Sequence, residues 1–192
     1  MKKTSLALIV LLAGYLTANA QFTLERTGLV NTDKPEQDYI VLEFEGKTQQ
    51  ELYQAVNVYL HSLYVNPQHV LSTMENQAIT VNGISEDAID ISLKKKPILY
   101  DIKYTISIAF KDDRIRINTP HIIEMSIWSL SNTKYEFHVE GLGYPFYNGV
   151  YNKRGEVMNE TAKKSIPDFF NRYVAKLVAA VNEDSGSNIN DW

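Results

Sequence analysis

Four histidines, His61, His69, His121 and His138, are where a metal ligand or a general base could stand, because the chain has no cysteine. A zinc site needs three or four converging ligands. His138 and Glu140 lie two apart in a stretch that reads as a strand, so they share a face and form the one local pair with ligand-compatible spacing. His121 and Glu124, three apart in an extended segment, fall on opposite faces. Two ligands do not make a site; these read as surface polar residues, and no metal or other cofactor is expected. Glu43 and Glu45 share the polar side of another strand. Paired carboxylates hydrolyse glycosides only when they face a substrate across a cleft, so a solvated strand face is the plainer reading. No Gly-x-Ser-x-Gly elbow, His-Glu-x-x-His or phosphate loop is present. Lys94-Lys95-Lys96 reads as a solvated loop that discourages edge pairing.

The most suggestive residues are Tyr144, Phe146, Tyr147 and Tyr151, set in the Gly- and Asn-rich stretch from Gly141 to Gly155. Aromatic side chains on a loop can offer a rigid stacking surface to a sugar or peptide. They can equally fold back to cap the core or hold the closing helix.

The elements that would position these residues are legible from periodicity. Ile40, Leu42 and Phe44 alternate with Val41, Glu43 and Glu45, the pattern of a strand with one buried face. Thr48 to Glu51 has capping-box spacing, and Leu52, Val56, Tyr59, Leu60 and Leu63 form the apolar stripe of a helix that Asn66-Pro67 stops. Phe22 to Glu25 reads as a first strand, followed by a polar connection from Asn31 to Gln37; Val70 to Glu75 and Ala78 to Asn82 read as two short strands. Ser85 to Pro97 reads as an exposed, mobile edge. Tyr100, Ile102, Tyr104, Ile106, Ile108 and Phe110 give the cleanest alternation, opposed by a wet face of Asp101, Lys103, Thr105, Ser107 and Ala109. Lys111-Asp112-Asp113 reverses the chain into a partner strand through Ile115 and Ile117, and Met125 to Val139 adds further strands. Gly141 to Gly155 is a long loop or a loop with an edge strand. Ile166 to Val181 closes the chain as an amphipathic helix, with Thr161 or Ser165 as its cap and Pro167 in its first turn.

Lys2 and Lys3, the apolar run Leu6 to Leu16 and the small residues Ala18-Asn19-Ala20 read as an export signal spanning 1–20, too short to cross a bilayer. The expected product is exported to the periplasm or beyond, with no membrane insertion. It comprises a single domain over 21–182, including a C-terminal strand, loop and helix extension, and a polar tail over 183–192. The signal carries two lysines and no acid, so the formal net charge of −4 becomes about −6 in the mature chain. An acidic protein lacks the main attraction for phosphate backbones, and no nucleic-acid partner is expected.

The segment Asp38-Tyr39-Ile40-Val41-Leu42-Glu43-Phe44-Glu45-Gly46-Lys47, with Glu51-Leu52-Tyr53, Tyr59-Leu60, Tyr64-Val65, Tyr104-Thr105-Ile106 and Arg116-Ile117-Asn118, resembles a family of exported proteins from gut-type Gram-negative bacteria. Tyr151-Asn152-Lys153-Arg154-Gly155 matches more weakly. The family is a domain of unknown function with a TATA-binding-protein-like fold. The resemblance covers Phe22 to Pro120 well and the closing helix loosely. It implies an α+β fold in which a curved antiparallel sheet of about five or more strands carries two main helices on one face, in β-α-β4-α order. It brings no catalytic residues and no established activity. Fold does not imply function: the wet face of the best strand lacks the wedge aromatics and the charge with which the DNA-binding namesake enters the minor groove. The function expected is an exported, non-catalytic binding or interaction module for a peptide, glycan or envelope protein. It would use the loop around Tyr144 to Tyr151, an exposed sheet edge or the wet sheet face. An envelope enzyme acting on cell-wall or dietary polymer, and a self-associating structural protein, are the alternatives.

Overall fold

The computed structural model describes residues 21–92, 97–142 and 148–184; the stretch 1–20 read as an export signal, Lys94-Lys95-Lys96 and residues 185–192 lie outside them. The chain runs β1 (Phe22–Glu25), β2 (Gly28–Asn31), β3 (Tyr39–Glu43), α1 (Gln49–Leu63), a single helical turn α2 (Pro67–Val70), β4 (Leu71–Met74) and β5 (Ala78–Asp90). It continues β6 (Leu99–Lys111), β7 (Arg114–Asn118), β8 (His121–Trp128), β9 (Lys134–Glu140), β10 (Gly149–Tyr151) and α3 (Glu160–Asp184).

The long alternating strand β6 is the centre of an eight-stranded sheet. β5 pairs antiparallel along one side, from Ala78 opposite Ala109 to Asp90 opposite Leu99. Two strands share the other side: β7 along Ile108 to Lys111, and β8 along Asp101 to Thr105. The division falls at Thr119-Pro120, where proline has no N–H to offer a ladder. Beyond it the sheet forks, with β3 on β7 and β9 on β8. The last strand, β10, runs parallel to β9, so the sheet is mixed rather than purely antiparallel. Gly141 and Gly149 allow this closure, because a Cβ on either would press into the backbone of the other. β1 and β2 form a separate hairpin; β2 went unread because Gly28 to Asn31 is too short for a periodic signal.

Ile102, Tyr104, Ile106, Ile108 and Phe110 are all 2% exposed or less and face α1 and α3, which cover one side of the sheet. Tyr53 of α1 packs edge-to-face on Phe110, and Phe169 and Phe170 of α3 pack on Tyr104. Each such pair contributes about 0.5–1.5 kcal/mol beyond its burial.

The capping box forms as expected: Thr48 Oγ1 accepts from Glu51 N–H at 3.3 Å, and Glu51 Oε2 accepts from Thr48 N–H at 2.8 Å. The β6–β7 turn adds to it. Asp112 Oδ1 accepts from Gln49 N–H at 2.8 Å, Asp113 Oδ1 accepts from Gly46 N–H at 2.7 Å, and Asp113 N–H donates to Lys47 carbonyl at 2.8 Å. A turn read only as a reversal therefore clamps the start of α1.

The closing helix differs from expectation at its start. Asn159, neither Thr161 nor Ser165, is the cap: its Oδ1 accepts from Ala162 N–H at 2.8 Å while its Nδ2 donates to Ile91 carbonyl at 2.8 Å. Ser165 Oγ instead accepts from Asp90 N–H at 2.8 Å. Pro167 consequently lies inside the helix rather than in its first turn. Asn171 ties the helix to β1, accepting from the Gln21 and Phe22 amides and donating to Phe22 carbonyl.

Gly83 faces Tyr104 across the β5–β6 ladder, and a Cβ there would sit 2.5 Å from Tyr104 Cζ. Gly83→Ala is expected to lower stability by about 1–3 kcal/mol through overpacking, read as a lower denaturant midpoint at unchanged slope; an unaltered midpoint would refute the packing account. The Glu51 carboxyl is held below its ordinary value, first by the Thr48 amide and then by the Thr48 hydroxyl. Its folded value being the lower one, its contribution is complete above the ordinary Glu range and disappears as pH falls through the depressed value. Thr48→Ala should flatten that part of the acid-unfolding profile.

Candidate functional site

Tyr144, Phe146 and Tyr147 lie outside the described residues. Tyr151 is in β10, 5% exposed, with its hydroxyl donating to Leu24 carbonyl at 2.7 Å. Lys163 Nζ stands 5.9 Å from its ring centroid. The polar end of Tyr151 is thus occupied in holding the first hairpin to the sheet. The histidines and paired acids are dispersed. His61 Nδ1 lies 2.8 Å from Asn57 carbonyl within α1. Glu140, the neighbour of His138, is bound by Arg26 at 2.6 Å, a hydrogen bond that lowers its carboxyl pKa. Glu43 and Glu45 are both exposed. Among the described residues no group of three or more acidic or histidine side chains could hold a metal ion, and no helix is long and apolar enough to cross a membrane.

The sheet face opposite the helices is uncovered by any described element, and the cross-strand pairing assembles it from residues far apart in sequence. Ala109 of β6 lies opposite Arg116 of β7, which lies opposite Val41 of β3. One row along, Lys111 faces Arg114 and Arg114 faces Glu43. Tyr39, Val41, Ala109, Lys111, Arg114 and Arg116 line a shallow hollow of about 330 Å³. The Arg116 guanidinium lies 4.1 Å from the Tyr39 ring centroid and its Nε donates to Asn118 Oδ1 at 3.0 Å. Stacked this way the guanidinium is oriented, with donors left over for a planar anion.

Charge is distributed unevenly over this face. At the β8–β9 end, Lys134 binds Glu124 at 2.7 Å and Glu136 at 3.2 Å, and Ser126 Oγ donates to Glu124 at 2.8 Å. The Lys134 bond, then that of Ser126, holds the Glu124 carboxyl below its ordinary value. At the β3–β7 end, Lys111, Arg114 and Arg116 enter none of the ion pairs found among the described residues, which join Arg26, Lys134 and Lys164 to their partners. Judging the wet face from β6 alone therefore understated its basic and aromatic content. The signal was present as the alternation of Tyr39 with Ile40 and of Arg114 and Arg116 with Ile115 and Ile117, but the register that joins them is a tertiary fact.

No family model and no curated protein matches the chain. Among solved structures, a TBP-like protein from Parabacteroides distasonis is 19% identical, covering 78% of this chain and 91% of its own, with a TM-score of 0.45. A DUF4468 family protein from Bacteroides ovatus is 12% identical over 80% of this chain and 88% of its own, with a TM-score of 0.46. These neighbours carry the descriptions that the sequence resemblance implies, a TBP-like fold and a domain of unknown function.

Tyr151→Phe would leave the Leu24 carbonyl without its buried donor. The expected loss is about 1–3 kcal/mol of unfolding free energy, checked by denaturant titration. A variant as stable as the parent would free Tyr151 from a structural role.

Proposed function

We propose that this protein is an exported, non-catalytic binding module whose uncovered sheet face holds carboxylate-bearing ligands, such as acidic glycans or acidic peptide segments. The observation that carries the reading is the Arg116 guanidinium stacked on Tyr39 beside Arg114 and Lys111, with no carboxylate partner among the described residues. An oriented guanidinium fork suits planar carboxylate better than a mobile lysine does. The rigid strands that carry these residues keep their spacing, so ordering the site costs little. The acidic overall charge weakens non-specific attraction to polyanions, which leaves recognition to this local geometry.

Mature protein should bind polygalacturonate or poly-glutamate in titration calorimetry. The double substitution R114A/R116A should weaken that binding by about tenfold or more, since hydrogen bonds to charged groups contribute about 1.5–3 kcal/mol each, and Tyr39→Ala should weaken it as well. Indifference to these substitutions would sink the proposal. Turnover of the polymer would make the protein an enzyme, and salt-sensitive retention of DNA at micromolar protein would reassign the face to phosphate.

A further inference from the structure

A second concavity lies on the helix side, independent of the sheet-face hollow. Beyond Val81, where the β4 pairing ends, the outer edge of β5 has no strand partner among the described residues. There the β5–β6 register slips between Ser85 and Ile89, and Asp87 adopts φ 49° with its N–H held by Asp101 Oδ1 at 2.9 Å. Such bulges re-aim side chains and are common beside binding sites. This one sets Glu86 and Asp87 on the rim of a cleft of about 440 Å³, whose other rim is Arg172 and Lys176 of α3. None of the ion pairs found among the described residues joins or occupies these four charges.

Below the rim the cleft is aromatic. Tyr59 and Tyr64, at the end of α1, and Phe169 form its walls, and Tyr104 and Tyr173 line it more deeply. Tyr64 and Tyr104 are joined hydroxyl to hydroxyl at 3.2 Å. Tyr173 is 7% exposed, and its hydroxyl lies buried beside that of Tyr64. The cavity is of the size that holds small ligands, about 300–1,000 Å³.

We infer that this cleft binds a zwitterion with a bulky apolar side chain, either a free amino acid or a short peptide that carries its ammonium on the first residue and its carboxylate on the last. The carboxylate lies toward Arg172 and Lys176, which are exposed at the rim. The ammonium lies toward Glu86 and Asp87, and the side chain enters the aromatic walls. A peptide would additionally run along the unpaired edge of β5, main chain against main chain.

The test is calorimetry on the mature protein with L-phenylalanine, the dipeptide Gly-Phe, N-acetylphenylalanine amide and 3-phenylpropionate. Phenylalanine or Gly-Phe is expected to bind, and which of the two binds more tightly identifies the free or the peptide source. The amide, lacking both charges, and 3-phenylpropionate, lacking the ammonium, are expected to bind at least tenfold more weakly. Arg172→Ala should weaken zwitterion binding about tenfold or more. Lys176→Ala should weaken it as well while leaving thermal stability unchanged, because Lys176 is exposed and enters none of the ion pairs found among the described residues. R114A/R116A should not affect it, which separates this inference from the sheet-face proposal. Absence of zwitterion binding up to about 10 mM, equal binding of the uncharged amide, or indifference to both cleft variants would overturn it.

Discussion

The packing of Tyr104 against Gly83 is the contact on which the arrangement of layers depends. Tyr104 sits near the middle of the central strand and is 1% exposed. Its ring meets Phe169, Phe170 and Tyr173 of the closing helix at centroid distances of 5.5, 5.6 and 6.3 Å. Its hydroxyl reaches Tyr64 at the end of the first helix. The ring can lie there only because the neighbouring strand offers no side chain at Gly83. Both helices are thereby registered against the same point of the sheet, and the cleft beside that point inherits its depth from the same ring.

The second constraint is that the central strand's outer side is divided between two partners. A ladder interrupted at Thr119-Pro120 lets the sheet fork, one arm carrying β3 and the other β9 and β10. The arm with β3 is held by the β6–β7 turn, whose two aspartates bond the backbone entering α1. The strand, turn and capped helix from Asp38 to Tyr64 therefore depend on a hairpin more than sixty residues further along. Local capping chemistry starts the helix; long-range hydrogen bonds decide where it sits.

The charge distribution follows from the same geometry. Over one end of the uncovered face, lysine and glutamates neutralise one another across the β8–β9 pair. At the other end, Arg116 of β7 meets Tyr39 and Val41 of β3 while Arg114 faces Glu43, and neither arginine enters an ion pair found among the described residues. Exposed pairs of this kind add little to stability, typically about 0–1 kcal/mol. The contrast between the two ends of the face is therefore one of charge rather than of stability.

Much of the architecture was legible without coordinates, because the signals are local. The alternation of Ile40 to Phe44 and of Tyr100 to Phe110, the capping box at Thr48 and the stripe of α1 each express a backbone period or a bond closed within four residues. Where two local signals competed, sequence reasoning chose wrongly: Thr161 and Ser165 have capping chemistry, yet Asn159 caps the closing helix because its amide also meets Ile91 carbonyl from a distant strand. Equally hidden were the parallel β10, which requires two glycine backbones to pass closely, and the commitment of Tyr151 to Leu24. The sequence by itself determined which faces are apolar, where the first helix begins and that the chain is acidic. Only the tertiary structure decided which polar faces meet, because strand register and the β5 bulge juxtapose Tyr39 with Arg116, and Glu86 with Arg172, from positions that no sequence period connects.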